Sequence, residues 1–348
     1  MAKKKIKDSE EEVVSSGSKA NRKKLEKDFG EIFIDPQSII DKKRTIFTLS
    51  PKLDIALSGG VPSGCWGILS GLSGAGKSSL ALSLCAKAQQ SEYGSRKCYY
   101  FDVEHRLEKK NLSGIPGLSF DKDKLEIISS TRGNILTAEK VLTIAERLLK
   151  DEPGIIIVID SSSSLCTSKE YDGDISAVGR NEGPKLLAQF TRKLNSVVSV
   201  QDSVVVIIQH LIANTSGYGS PWLEDGGNKI VYQSDFKLRG VSFSKWEDSD
   251  KKQIGQSTNY HIIKSPLGQP GAKVESYIRY GSGIDMVWEL IELACDVGLI
   301  TKGGAWFNLD FLDTPIKLQG QQNVWDYLDR NPIDLKLLDE KVKEFYVS

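Results

Sequence analysis

Residues 65–90 read CWGILSGLSGAGKSSLALSLCAKAQQ: an apolar strand, a glycine-rich turn, then a helix. Within the turn lies G-x-x-x-x-G-K-S, from Gly71 to Ser78. In that setting the small residues Ser73, Gly74, Ala75 and Gly76 let backbone N–H groups converge on phosphate oxygens, and the helix start adds its dipole. Lys77 is expected to reach the β- and γ-phosphates, Ser78 to hold Mg²⁺, and Ser79 to line the first helical turn. A plain glycine-rich turn between strand and helix would need neither the lysine nor the serine. The expectation is therefore a P-loop, built into a sheet whose strands end on one side.

The rest of the chain supports such a sheet. "KCYYFDV", "GIIIVID" and "SVVVIIQ" are strands that stay apolar along their length, as strands do when both faces are covered. "AEKVLTIAERLLK" and "PKLLAQFTRKLNSVV" are helices between them. The alternation predicts an α/β fold with a mostly parallel central sheet over residues 45–285. "NYHIIK" and "ESYIRY" are expected to pair as a hairpin. Residues 286–348 read as a small C-terminal α/β appendage with helices in "MVWELIELACDVGLI" and "DLKLLDEKVKEFY". Residues 1–18, a basic then an acidic block, read as a disordered tail. Residues 19–44 contain a short amphipathic helix with Leu25 and Phe29 four apart and Gly30 as its stop, a thin stripe suited to docking on a neighbouring subunit.

Several polar residues close buried strands. Asp160 ends "GIIIVID", where a carboxylate faces the ligand crevice and suits a hold on Mg²⁺ through water. Asp102 and Glu104 end the strand after the P-loop helix; alternation places both on one face, and either is a candidate base for activating water. His105 reads as a packing or hydrogen-bonding residue. Gln209 closes "SVVVIIQ", with His210 next, and stands either as a γ-phosphate contact or as the start of a loop.

The ordered set of these stretches resembles the RecA family of homologous-recombination ATPases, including phage recombinases of that type, from about residue 19 to 348. "TLSPKLDIALSGGVPSG", "YYFDVEHRL", "IIIVIDSSSSL", "GSPWLEDGGNKIVYQSDFKL", "IIKSPLGQPG", "YIRYGSGID" and "KGGAWFNL" follow in the family's order. The resemblance implies Glu104, rather than Asp102, as the water-activating glutamate. It implies Gln209 as the γ-phosphate sensor coupled to DNA loops, and Lys264 as a lysine reaching the ATP of an adjacent subunit. Tyr280 falls near the adenine, with Glu108 and Gly281 beside the nucleotide. It further implies a helical filament with ATP between subunits, formed on single-stranded DNA and paired with homologous duplex. Mediator or single-strand-binding proteins are implied as partners. Two segments, about 168–183 and 211–228, are expected to face DNA. The first leads to Lys185 and Arg192, with Arg180 in the segment itself. The second carries Gly226, Gly227 and Asn228 for phosphates and Tyr218 and Trp222 for stacking on bases, worth ~1–3 kcal/mol per base. Departures stand out: Pro266 replaces a second lysine, Asn111 stands where an adenine-stacking tyrosine is expected, and no long acidic tail follows "EFYVS".

Composition excludes little beyond this. The 46 basic and 46 acidic residues balance, so any nucleic-acid contact rests on a local patch. Five cysteines without a C-x-x-C pair fit a reducing cytosol, bacterial or phage-infected, with Cys85, Cys98, Cys166 and Cys295 expected as buried thiols. No run approaches the roughly 20 apolar residues a spanning helix needs, and the first residues lack the apolar core of a signal peptide. Two rival functions share such a core, a ring-forming helicase or translocase and a P-loop small-molecule kinase. A helicase would lack the C-terminal appendage, and a kinase would carry an arginine-rich lid that this sequence does not contain.

Overall fold

The computed structural model describes residues 19–174, 182–215, 218–219, 221–225, 229–248 and 251–347. They divide at Arg44 and Thr45 into two units. In the first, α1 spans residues 19–29 and stops at Gly30, whose φ of 82° takes the left-handed conformation that ends helices. A second helix, α2 (Pro36–Ile40), starts behind Asp35, which accepts from the Gln37 N–H at 3.0 Å. Arg22 pairs with Glu26 and lies 5.0 Å from the centre of the Phe33 ring. Phe29, Ile34 and Ile40 are exposed.

The second unit opens with a short antiparallel ribbon of β1 (Ile46–Phe47) and β2 (Val61–Pro62), joined through α3 (Pro51–Ala56). Next come β3 (Cys65–Gly71), α4 (Lys77–Ala88), β4 (Cys98–Asp102), α5 (Lys109–Leu112), β5 (Leu125–Ile128), α6 (Ala138–Asp151) and β6 (Ile156–Asp160). They are followed by α7 (Ser168–Asp172), α8 (Gly183–Val200), β7 (Val204–Ala213), β8 (Trp222–Glu224) and α9 (Lys229–Gln233). Four further strands, β9 (Phe236–Glu247), β10 (Gln253–Lys264), β11 (Lys273–Arg279) and β12 (Gly283–Ile284), complete the sheet. Its order is β12-β11-β10-β9-β3-β7-β6-β4-β5, with β8 on β7. From β9 to β5 neighbours run parallel, and from β9 to β12 they run antiparallel.

Strand alternation feeds two apolar cores, one on each face. Ile156 and Val158 of β6, and Val204, Val206 and Ile208 of β7, join Leu80 and Leu84 of α4. Ile157, Ile159, Val205 and Ile207 join Val141 of α6 and Leu194 of α8 on the other side. Burial on both faces explains why these strands are apolar until their C-terminal ends.

The last part of the chain has its own core. It contains α10 (Met286–Asp296), a three-stranded antiparallel sheet of β13 (Ile300–Gly303), β14 (Trp306–Leu309) and β15 (Ile316–Gln319), then α11 (Gln321–Arg330) and α12 (Pro332–Val347). Glu289 of α10 is fully buried and accepts from the Ser276 hydroxyl at 2.5 Å and the Lys52 N–H at 3.1 Å, which ties α10 to β11 and α3. Among the described residues no helix is long and apolar enough to cross a membrane.

Several expectations need correction. The strand bearing Gln209 does not end there; β7 continues to Ala213 because β8 folds back on it, pairing Leu211 with Glu224. Residues 168–172 form a helical turn, closed by a reciprocal Thr167–Glu170 capping box. β9 runs the length of β10 and was not legible as a strand, since residues 242–245 of its outer half are an exposed, mostly polar run without alternation. Cys166 is exposed and Cys295 partly so, because each sits at the margin of its apolar run; Cys65, Cys85 and Cys98 are buried, and none of the five is in a disulfide.

Candidate active site

The parallel strands deliver their polar residues to one edge. Asp102 pairs in register with Asp160, Ser70 with Gln209 and Gly71 with His210. The glycine turn at this edge takes the shape the motif implies. Gly74 and Gly76 have φ of 82° and 75°, and a Cβ on Gly76 would lie 1.9 Å from Ile278 Cδ1. The turn is held from β10: Tyr260 donates to the Ala75 carbonyl at 2.8 Å and Gln256 to that of Gly74 at 2.5 Å. No side chain caps the start of α4, which leaves its first-turn amides to an anion. Lys77 is buried, its ammonium donating to the carbonyls of Gly71 at 3.0 Å and Leu72 at 2.8 Å. Burial pulls its pKa below the usual lysine range.

Beside it, the Ser78 hydroxyl donates to Asp160 Oδ2 at 2.6 Å, and the buried Tyr100 hydroxyl donates to the same oxygen at 2.5 Å. Burial raises the Asp160 pKa. A hydroxyl and one carboxylate, both hard oxygen donors, suit Mg²⁺, which usually takes only one or two protein ligands when phosphates supply others. The uncapped turn and the buried cation suit those phosphates. The residues present thus fit a Mg²⁺–nucleotide.

Of the two acidic candidates, only Glu104 turns into the edge. The strand stops at Asp102, so alternation does not carry to Glu104. Asp102 instead accepts the N–H groups of Arg106 and Leu107, both at 3.2 Å, and closes the turn. Glu104 is bonded to His210 Nε2 at 2.5 Å, accepts a short bond from the Ser161 hydroxyl, and lies 3.2 Å from Arg106 Nη1. The His210 bond above all holds its pKa down at about 2, against burial. His105 is exposed and its Nδ1 lies 3.0 Å from the Ser129 hydroxyl.

Gln209 and His210 point to opposite sides of β7. The Gln209 side chain is fully buried, donates to the Asp225 carbonyl at 3.4 Å and leaves Oε1 without a partner among the described residues. His210, a quarter exposed, is the one that touches Glu104. Gln209 itself makes no contact with Glu104 among the described residues. Lys264, at the end of β10, donates to the carbonyls of Ser234 at 2.8 Å and Tyr232 at 3.2 Å.

A cleft of about 280 Å³ opens next to the first turn of α4, lined by Ser79, Asn111, Ile115, Tyr280 and Gly281 among others. Tyr280 is half exposed, its hydroxyl accepting from Gln253 at 2.7 Å. Asn111 enters this cleft, but its Oδ1 accepts the Glu108 N–H at 3.0 Å in a capping box that starts α5. Glu108 is the N-cap residue of α5.

The DNA-facing expectations fall partly on described residues. Lys185 and Arg192 are exposed, seven residues apart on α8 and hence on one face. Tyr218 is exposed and Trp222 half-buried at the start of β8. Arg180, Gly226, Gly227 and Asn228 lie outside the described residues. The second segment is anchored by Glu224, which pairs with the fully buried Lys237 at 2.6 Å and with Arg239. His210, Ser161, Tyr100, Gln256 and Tyr260 were not found as site residues from sequence. Only His210, next to Gln209, carried a local signal.

Comparison with known proteins agrees with this architecture. Residues 18–285 match the model of the RecA N-terminal domain and residues 288–347 that of the RecA C-terminal domain. Among curated proteins, the chain is 32% identical over 328 residues to Protein RecA of Clostridioides difficile (strain 630), covering 93% of this chain and 90% of that protein. It is 29% identical over 324 residues to Protein RecA of Aquifex aeolicus (strain VF5), covering 92% and 90%. The chain belongs to the RecA family, and it is an ATP-dependent recombinase with DNA-dependent ATPase activity.

Proposed function

We propose that the protein polymerises on single-stranded DNA as a helical filament with ATP and Mg²⁺, pairs that strand with homologous duplex and promotes exchange. The observation that carries the reading is the line from Ser78 through Asp160 to Glu104 and His210 along one sheet edge. It puts a phosphate-binding turn, a metal-suited carboxylate and a charged acid next to the strand that enters the second DNA-facing segment.

In this reading Gly71, Ser73, Gly74, Ala75 and Gly76 cradle the phosphates, and Lys77 exchanges its two carbonyl partners for phosphate oxygens. Ser78 and Asp160 hold Mg²⁺, which neutralises charge developing on the phosphates. Glu104, held ionised, orients the attacking water and takes its proton. His210 carries the coupling to the second segment that the resemblance assigned to Gln209; Gln209, bonded to Asp225, supports that segment from below. Ser79, Glu108, Tyr280 and Gly281 border the base, with Asn111 leaving one face without an aromatic. Lys264 and α1 reach an adjacent subunit, and Pro266 leaves that junction one cation short. Arg180, Lys185, Arg192, Tyr218, Gly226, Gly227 and Asn228 face DNA, reading backbone and base faces rather than sequence. The domain division is residues 1–18 as tail, 19–44 for subunit packing, 45–285 as the ATPase core and 286–348 as the C-terminal domain. The setting is the cytosol of a bacterial or phage-infected cell, where single-strand-binding and mediator proteins are the further partners.

Electron microscopy of the protein with single-stranded DNA and a non-hydrolysable ATP analogue, beside a strand-exchange assay, tests this. Helical filaments and exchanged strands are expected. Closed rings without exchange would favour a translocase, and turnover indifferent to DNA would favour a kinase.

A further inference from the structure

The most informative unassigned group is a hydroxyl in the core. Tyr100 is fully buried in β4, in the cluster that contains Leu80, Leu84 and Val158. A phenylalanine would fill nearly the same volume. The phenolic oxygen must be bonded to sit there, since an unpartnered buried hydroxyl costs about 1–3 kcal/mol. Its partner is Asp160 Oδ2, at 2.5 Å, and that oxygen also receives the Ser78 hydroxyl at 2.6 Å.

The sheet register explains the meeting. Tyr100 pairs with Val158, and Asp102 with Asp160. Tyr100 and Asp160 thus stand on the sheet face that carries α4 and Ser78, one step apart on adjacent strands. A carboxylate at a strand end turns freely about its side-chain bonds unless a neighbour fixes it. Here two hydroxyls from two elements converge on one oxygen. Both bonds are to Oδ2, so that oxygen is held in place before any metal arrives.

We propose that Tyr100 is a positioning residue that fixes Asp160 for the divalent metal and so sets the Mg²⁺ concentration the protein needs. Tyr100 is fully buried, and its hydroxyl is bonded to Asp160. It acts through Asp160, as partners outside the coordination shell do when they orient ligating carboxylates. Their loss typically lowers metal affinity about 10–100-fold. The inference rests on the assignment of Asp160 to the metal.

The experiment is binding of a fluorescent ATP analogue to the full-length protein, titrated with Mg²⁺, for the parent, Tyr100→Phe and Asp160→Asn. Mn²⁺ binding followed by electron paramagnetic resonance supplies a second readout. Tyr100→Phe is expected to raise the half-saturating Mg²⁺ and Mn²⁺ concentrations about 10-fold or more, with metal-free nucleotide binding and thermal midpoint near the parent's. An Asp160→Asn protein with an unchanged metal requirement overturns the assignment of Asp160 and the proposal with it. An Asp160→Asn shift without one in Tyr100→Phe overturns the Tyr100 role alone. Equal weakening of nucleotide binding with and without metal in Tyr100→Phe also overturns it, since that is the mark of packing.

Discussion

Removing the His210 side chain tests the coupling at its narrowest point. Glu104 Oε1 lies 2.5 Å from His210 Nε2, and Glu104 titrates at about 2 against an ordinary 4.5. At 1.36 kcal/mol per pH unit that interval is worth about 3 kcal/mol, the net of the contacts to His210, Ser161 and Arg106 over the opposing effect of burial. A hydrogen bond to a charged group contributes about 1.5–3 kcal/mol, so His210, the largest contributor, accounts for at least half of it. If Glu104 must leave His210 before it takes a proton from water, that energy is part of the barrier without DNA. His210→Ala should then raise DNA-free ATP turnover about 10-fold or more, because each 1.36 kcal/mol is tenfold in rate. Single-stranded DNA should add correspondingly less. The Glu104 pKa should climb toward its ordinary value, so activity lost on acidification should start disappearing at a higher pH than in the parent. Steady-state turnover with and without single-stranded DNA measures the first effect, and a pH profile the second. A DNA-free rate at or below the parent's, in a protein with parental thermal midpoint, would refute a restraint of Glu104 by His210.

Glu104→Gln keeps an acceptor for Ser161 but cannot take a proton; turnover should fall about 10²–10⁴-fold while ATP-dependent DNA binding persists, as filter binding beside an ATPase assay would reveal. Changing Lys185 and Arg192 together to Ala should weaken DNA binding and flatten the log-affinity against log-salt slope by about 1.4, at roughly 0.7 per phosphate contact on single strands; an unchanged slope would remove that face of α8 from the interface. Glu224→Ala leaves Lys237, 1% exposed, without its counter-ion. Breaking a buried pair this way costs about 3–5 kcal/mol, read as a lower urea midpoint, with faster proteolysis between residues 211 and 225.

What could be read from sequence, and what could not, divides by how far apart in the chain the partners lie. Residues 71–79 carry their own explanation, because turn, lysine, serine and helix are contiguous. Asp160 was accessible as the last residue of an apolar run, and Glu104 through a resemblance in its neighbours. Tyr100, Gln256 and Tyr260 carried no such mark. Each is a polar residue within a strand, and its role depends on which residue of another strand or turn lies opposite. That register is set by the packing of the whole sheet.

The Gln209–His210 pair makes the point sharpest. Successive strand residues face opposite sides, so one of the two must point toward Glu104 and the other away. Ending the strand at Gln209 frees that side chain from the rule. The continuation of β7 to Ala213, forced by β8 pairing on it, restores the rule and selects His210. A slip of one residue between β3 and β7 would exchange the two side chains at the site. The contact to Glu104 therefore resides in the register Gly71–His210 as much as in the identity of either residue.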